Sequence, residues 1–238
     1  MIENCRYSEE YKARQEGNDR FAADKPSKRE VGTDRRKELA KGQHPFAVVL
    51  TCADSRVAPE LIFDAGLGEL FVLRVAGNIA DPAVVGSIEY AVEHLHAPLI
   101  VVLGHESCGA VAAALDGKPL PGDLGWLVKQ VKVGDKLPDA KDDRLLSGIR
   151  NNVLAASADI RLRSKVIHEE VAHKKVVIVP AVYSLKSGKV EWIAPPEKKP
   201  APASDAPSAS VPSPAPVPGA EVPRFPRLQT ALQRLRSR

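Results

Sequence analysis

Short apolar runs alternate with polar and amphipathic stretches along most of the chain. The runs are rich in β-branched residues, which is typical of buried strands. They lie at residues 46–50, 69–75, 98–104, 175–185 and 188–193. A Lys-Ser-Gly turn separates the last two runs, which predicts that they pair antiparallel through a tight hairpin.

Helices are predicted between the strands. Asp81 and Pro82 open the clearest one, over 81–96, because Asp caps a helix and Pro suits its first turn. Another helix begins near Ser107. The remaining segments are a long amphipathic helical stretch with at most one break (144–172), exposed helices (6–23 and 27–41), and a long loop or short helices (116–143). Strands that alternate with helices predict an α/β fold, with a mainly parallel β-sheet flanked by helices.

The composition changes at residue 195. Eleven prolines mix with Ala and Ser between 195 and 226, and such a segment buries too little apolar surface to offset its ordering entropy. We therefore expect a single domain over 1–194 and a disordered, basic, Pro/Ala-rich C-terminal tail over 195–238. The closing stretch RLQTALQRLRSR has leucines on one helical face. A frayed end is the favoured interpretation, with a small docking helix as the alternative.

The charge and the cysteine content indicate which partners and which cell compartment to expect. The net charge of +4 comes from the tail, since residues 1–194 carry 27 basic and 27 acidic residues. A neutral body predicts no nucleic-acid partner. The count of three cysteines is odd, the start MIENCRYSEE is polar, and no apolar run is long enough to span a membrane. We expect a cytoplasmic, reducing location.

Potential metal ligands follow two of the predicted strands. Cys52 follows the first, and His105 and Cys108 follow the third within the motif GHESCG. Sites gather at the carboxyl ends of strands in open α/β sheets, so these side chains are expected to converge. Two thiolates and an imidazole suit Zn²⁺, and three protein ligands are typical of a catalytic site with an open fourth position. Cys5 lies in a polar segment and is not expected to close the site.

A charged pair accompanies the first cysteine. Asp54 can reach a metal or its bound water, and Arg56 can hold that carboxylate by a two-pronged bond. Three interpretations of Cys52 stay open on the residues alone: metal ligand, packed core residue and nucleophile. The nucleophile is the weakest, because a cysteine phosphatase needs an arginine where Ala58 stands, and a cysteine hydrolase leaves Cys108 without a role. Asp54 and Arg56 by themselves could equally form a local salt bridge.

At these residues the sequence resembles the β-class carbonic anhydrases. The resemblance runs from about Gly17 to Ile193, and the motifs C-D-S-R and G-H-x-x-C-G at this separation are highly specific. The segments that carry it are GNDRF, KGQHP, CADSRV, LIFDAGLGELFVLRVAGN, GSIEYAVEHL and VVLGHESCGAV.

The resemblance implies reversible hydration of CO2 to bicarbonate and a proton by zinc-bound hydroxide. It implies one Zn²⁺ per chain, homodimers or higher assemblies, and a catalytic dyad of Asp54 and Arg56. It also implies that Gln43 contributes a side chain to the pocket, in some members from the neighbouring subunit. Val49 stands where a bicarbonate-regulated subgroup has Trp, so the constitutively open type is expected. The site residues it implies as zinc ligands are Cys52, His105 and Cys108.

Two alternative functions stay open. A related hydrolase of carbonyl sulfide or carbon disulfide would use the same zinc and dyad. A non-catalytic, zinc-stabilised scaffold would recruit partners through the Pro-rich tail. The intact pair of Asp54 and Arg56 argues against the scaffold, which has no need of it.

Overall fold

A computed structural model describes residues 8–29 and 31–193 of the protein. Within these residues, five strands form one sheet in the order β2-β1-β3-β4-β5. The first four pair in parallel, and β5 pairs antiparallel with β4. The strands are β1 (Ala47–Thr51), β2 (Leu70–Arg74), β3 (Leu99–His105), β4 (Val177–Tyr183) and β5 (Val190–Trp192). Each predicted strand and the antiparallel hairpin are confirmed.

Helices cover both faces of the sheet. Their bounds are α1 (Ser8–Ala22), α2 (Thr33–Leu39), α3 (Pro59–Ile62), α4 (Pro82–Glu93), α5 (Gly109–Asp116), α6 (Gly122–Gln130), α7 (Lys141–Arg163) and α8 (Lys165–Ala172). The mainly parallel α/β fold is therefore confirmed. The short helix α3 and a single 3₁₀ turn at Ala76–Asn78 were not predicted, because elements of three or four residues leave no readable period.

Side chains cap the starts of two helices, and the cap at Asp81 was predicted from the sequence. The Asp81 side chain accepts a hydrogen bond from the backbone N–H of Val84 at 2.8 Å, so Asp81 caps α4. The predicted break in the long amphipathic segment lies at Ser164, which separates α7 from α8. Its hydroxyl accepts from the N–H of Ile167 at 3.1 Å and caps the second helix.

The core lies on both faces of the sheet, which explains why the central strands β1 and β3 come from continuously apolar runs. Val48 and Leu50 of β1 belong to one buried cluster, with residues of α4, α5, α7 and α8. Ala47 and Val49 belong to the other cluster, with Phe63 and part of the N-terminal region. Successive residues of a strand point to opposite faces, so one five-residue strand contributes to both layers.

A buried carboxylate ties the N-terminal segment to this core. Asp64 accepts hydrogen bonds from Arg20 at 2.7 Å, from Arg29 at 3.0 Å, and from the hydroxyl and N–H of Ser27. Burial alone raises the pKa of Asp64, but these donors together lower it below its usual range. The carboxylate is therefore held ionised inside the fold.

The structure bears on the sequence expectation about membranes but not on the expectations about the chain ends. No helix of the described part is both long and apolar enough to cross a membrane. The tail predicted for 195–238 lies outside the described residues, as does Cys5, and both expectations stay predictions. The same holds for the boundary at residue 194.

Candidate metal centre

The candidate ligands meet at the carboxyl edge of the sheet. Strands β1 and β3 are parallel neighbours, with Thr51 paired to Leu103, so Cys52 follows β1 beside the end of β3. His105 is the last residue of β3. The chain then turns through Ser107, whose φ is 56°, and Cys108 stands directly before α5 as its N-cap.

The structure brings the three predicted ligands together. Ligand atoms of Cys52, His105 and Cys108 all lie within 4.8 Å of one another. All three residues are buried, and His105 is wholly inaccessible to solvent. Two sulfurs and one imidazole nitrogen at this spacing can share a single ion.

The orientation of His105 fits metal binding. Its Nδ1 lies 2.8 Å from the carbonyl oxygen of Glu106, and because a carbonyl only accepts, Nδ1 carries the proton. The other ring nitrogen, Nε2, is then an unprotonated lone-pair donor. It is buried and has no hydrogen-bond partner among the described residues. A fixed tautomer with a free Nε2 is the arrangement that a metal-binding histidine requires.

The two thiols are electrostatically unlike each other. The hydrogen bond from Cys108 lowers the pKa of Cys52 to about 4, and the N–H of Gly77 contributes to this shift. The same pairing and burial raise the pKa of Cys108. The two sulfurs therefore compete for one proton, and a divalent cation between them would relieve the competition by favouring both thiolates.

Asp54 and Arg56 form the predicted pair beside this cluster. The Arg56 side chain donates to Asp54 from Nε at 2.9 Å and from Nη2 at 2.7 Å, and its backbone N–H donates at 3.0 Å. These bonds lower the pKa of Asp54 well below its usual range. The carboxylate is therefore ionised and fixed in orientation near neutral pH.

Arg74 is a site residue that the sequence reasoning missed. It ends β2, the neighbour of β1, and its guanidinium donates to the backbone carbonyls of Cys52 at 3.3 Å and Asp54 at 2.6 Å. Arg74 thus braces the loop that carries both side chains. The signal in the sequence was an arginine that ends an apolar strand, because Cys52 and His105 also lie at or directly after the carboxyl ends of their own strands.

Gln43 is not brought to the cluster within one chain. It is exposed and precedes β1, whereas Cys52 follows that strand. At roughly 3.3 Å per residue, the five residues of β1 separate the two ends by about 16 Å. The Gln43 of a given chain therefore lies at the opposite edge of the sheet from its own cluster.

Comparison with known proteins decides the family. The family model described as carbonic anhydrase matches residues 47–190, a range that contains Cys52, Asp54, Arg56, His105 and Cys108. The chain belongs to the carbonic anhydrase family.

Similar proteins agree with this carbonic anhydrase assignment. The chain is 46% identical over 185 residues to carbonic anhydrase 2 of Mycobacterium tuberculosis, covering 75% of this chain and 89% of the relative. It is 42% identical over 189 residues to a carbonic anhydrase of Mycolicibacterium smegmatis, covering 76% and 90%. A solved Coccomyxa β-carbonic anhydrase, in complex with acetazolamide, is 27% identical with a TM-score of 0.62, covering 80% and 87%. The resemblance to the β class is confirmed.

Proposed function

We propose that this chain catalyses the reversible hydration of CO2 to bicarbonate and a proton. The observation that carries the proposal is the convergence of Cys52, His105 and Cys108 within 4.8 Å beside a carboxylate fixed by Arg56. The family match over 47–190 supports the same reaction. The alternatives of carbonyl sulfide or carbon disulfide hydrolysis and of a non-catalytic scaffold are not favoured by any of these observations.

The cofactor we propose is one Zn²⁺ per chain. The donor set of Cys52, Cys108 and the free Nε2 of His105 fits it, because Zn²⁺ binds two thiolates and an imidazole readily and keeps an open position when it has three protein ligands. When bound, zinc supplies Lewis acidity that makes a water molecule in that position an effective nucleophile near neutral pH.

Each polar side chain then has a distinct role in our proposal. Asp54 accepts a hydrogen bond from the attacking oxygen nucleophile and turns a lone pair of that oxygen toward the carbon of CO2. Arg56 keeps Asp54 ionised and in place through its two side-chain bonds. Arg74 holds the loop that carries Cys52 and Asp54. The positions of the reacting groups are thus set before substrate arrives, which lowers the cost of reorganisation during the reaction.

We also propose a homodimer in which Gln43 acts across the interface. Gln43 lies far from the metal-ligand cluster of its own chain, and this distance supports the dimer. Only the Gln43 of a second copy could contact CO2 or bicarbonate at that cluster. Mixing Gln43→Ala with Cys52→Ser chains tests the idea. The mixed dimer pairs an intact cluster with an intact Gln43, so part of the parental activity should return. A mixture no more active than the separate variants contradicts the arrangement.

The constitutively open type is the form we propose for the resting site. Val49 is wholly buried in the core where the bicarbonate-regulated subgroup would have Trp, and Asp54 is engaged by Arg56. Asp54 is then not free to occupy the fourth metal position. A cytoplasmic location remains part of the proposal, supported by the odd count of three cysteines, which is too few for a disulfide framework.

Zinc content and CO2 hydration, measured side by side, test the function. The parent should hold one zinc per chain and hydrate CO2. Cys52→Ser should lose both zinc and activity. Asp54→Asn should keep zinc and lose activity by about 100-fold or more, since a positioned proton acceptor contributes at least this much. Asp116→Asn, which alters an exposed pair with Lys118, should match the parent.

Two results would contradict the proposal. A zinc-replete parent with no hydration rate above buffer would favour the scaffold. Faster turnover of carbonyl sulfide or carbon disulfide than of CO2, in parallel assays, would favour the related hydrolase.

A further inference from the structure

Asn152 connects three segments that surround the metal centre. It lies on α7, is buried, and uses both ends of its carboxamide. Its Nδ2 donates to the carbonyl oxygen of Gly77 at 2.7 Å, and its Oδ1 accepts from the backbone N–H of Lys132 at 2.9 Å. The side chain therefore fixes the 3₁₀ turn at Ala76–Asn78 against both α7 and the segment after α6.

The turn that Asn152 fixes also contacts a ligand atom. The N–H of Gly77 donates to the Cys52 sulfur at 3.4 Å. Gly77 has φ 70°, and an added Cβ would lie 2.9 Å from Val131 Cγ2 and 3.2 Å from Ala110 Cβ. Both the backbone conformation and the close packing require glycine here. The position of the turn is therefore set by Asn152 and by the side chains packed around Gly77.

We infer that Asn152 is a positioning residue that aims the Gly77 N–H at the Cys52 sulfur and so sets how tightly that sulfur binds metal. The inference rests on the proposed zinc site. An N–H that donates to a thiolate stabilises its negative charge and fixes its direction, and hydrogen bonds to metal ligands tune affinity in this way. Asn152 acts through Gly77 and does not touch the ligand itself.

The neighbouring residue provides a matched control. Asn151 lies on the same helix, is partly buried, and donates from Nδ2 to the carbonyl oxygen of Val133 at 2.7 Å. Asn151 and Asn152 therefore each make a short bond from α7 to a backbone carbonyl. Only Asn152 bonds to the residue, Gly77, whose N–H donates to the Cys52 sulfur.

The test compares Asn152→Asp with Asn151→Asp. Each change keeps the shape of the side chain and replaces the donating NH2 by an oxygen that faces a carbonyl. Zinc affinity is measured by competition with a chelator, and the thiolate-to-metal absorption band is recorded on the cobalt-substituted protein. Asn152→Asp should weaken zinc binding by about 10- to 100-fold and shift the band. Asn151→Asp should leave affinity and band as in the parent, with a comparable loss of thermal stability.

A second variant, Asn152→Ala, removes the donor without adding a carboxyl and should weaken zinc binding in the same direction. Parental affinity and an unshifted band in both Asn152 variants would overturn the inference. An equal loss of zinc affinity in Asn151→Asp would also overturn the inference. So would Asn152 variants that do not fold even with zinc, because Asn152 would then be needed for folding and not for metal affinity. A parent that binds zinc but does not hydrate CO2 would contradict only the proposed function, since the affinity comparison would still hold.

Discussion

The Oδ2 atom of Asp54 lies 3.9 Å from Nε2 of His105. These two atoms belong to separate strand ends, and the same oxygen is 2.7 Å from Nη2 of Arg56. Asp54 therefore lies beside the nitrogen of a candidate metal ligand, and Arg56 holds it there. In the proposed site, this carboxylate would face the position where a nucleophile binds without occupying that position. The strength of that arginine contact should therefore control catalysis more than metal binding.

Arg56→Lys tests this relationship. A lysine offers one ammonium group in place of the planar two-pronged guanidinium, so Asp54 would lose its fixed orientation. We expect zinc content to stay as in the parent and kcat to fall by at least about tenfold. Arg35→Lys, at a partly buried arginine of α2 that pairs with Glu38 and is not one of the site residues, serves as the control and should keep parental kcat. Loss of zinc from Arg56→Lys, with kcat per bound zinc unchanged, would contradict the assigned role.

CO2 hydration should increase toward alkaline pH. Two thiolates, Cys52 and Cys108, donate more charge to a metal than imidazoles do, so water in the open position should lose its proton at higher pH than with nitrogen ligands. The lowered pKa of Asp54 keeps this carboxylate ionised throughout the assay range, so its protonation does not produce the rise. Stopped-flow rates from pH 6.5 to 9 would check this. A flat profile is the contradicting result.

Gly104 allows α7 to pack directly on β3 next to His105. An added Cβ would lie 2.5 Å from Val153 Cγ2 and 3.2 Å from Ile149 Cγ2. Gly104→Ala should therefore lower the free energy of unfolding by about 1–3 kcal/mol, measured by urea denaturation. Gly86→Ala, in the middle of α4 with nothing within 4 Å of the added Cβ, should not lower it, because Ala favours a helix more than Gly does. Equal stabilities for the two variants would show that this packing tolerates a methyl group.

Asp64 should contribute to stability at neutral pH. Its folded-state pKa is lowered, so its contribution is present above the unfolded pKa of about 3.9 and is lost as pH falls toward the folded value. Asp64→Asn should cost roughly 2 kcal/mol at pH 7, because it weakens hydrogen bonds to a buried charge. The difference from the parent should shrink in acid. Asp34→Asn, at an exposed pair with Lys37, should match the parent at every pH.

Removal of residues 195–238 should leave catalysis intact. The sheet, both core clusters and the candidate metal centre are built from residues within 8–193. We expect a chain that ends at residue 194 to keep the parental zinc content, CO2 hydration rate and Tm. A large drop in Tm or rate would show that the domain boundary is wrong.

The local sequence determined most elements of the fold. The continuous apolar runs predicted β1, β3 and β4, because a strand buried on both faces needs few polar positions, and the Lys-Ser-Gly turn predicted β5. Asp81 and Pro82 marked the start of α4, since capping depends on neighbouring residues only. Cys52, His105 and Cys108 were predicted as one site because parallel strands end at a common edge.

Only the tertiary structure decided which groups support that site. Arg74, Gly77 and Asn152 come from β2, a 3₁₀ turn and α7, and their hydrogen bonds join residues 20 to 75 positions apart. No local period or motif encodes such contacts, because they depend on how the sheet and helices pack. The distance of Gln43 from the cluster of its own chain, by contrast, follows from a local element that the sequence predicted, the strand β1. A short strand between them carries the chain from one edge of the sheet to the other.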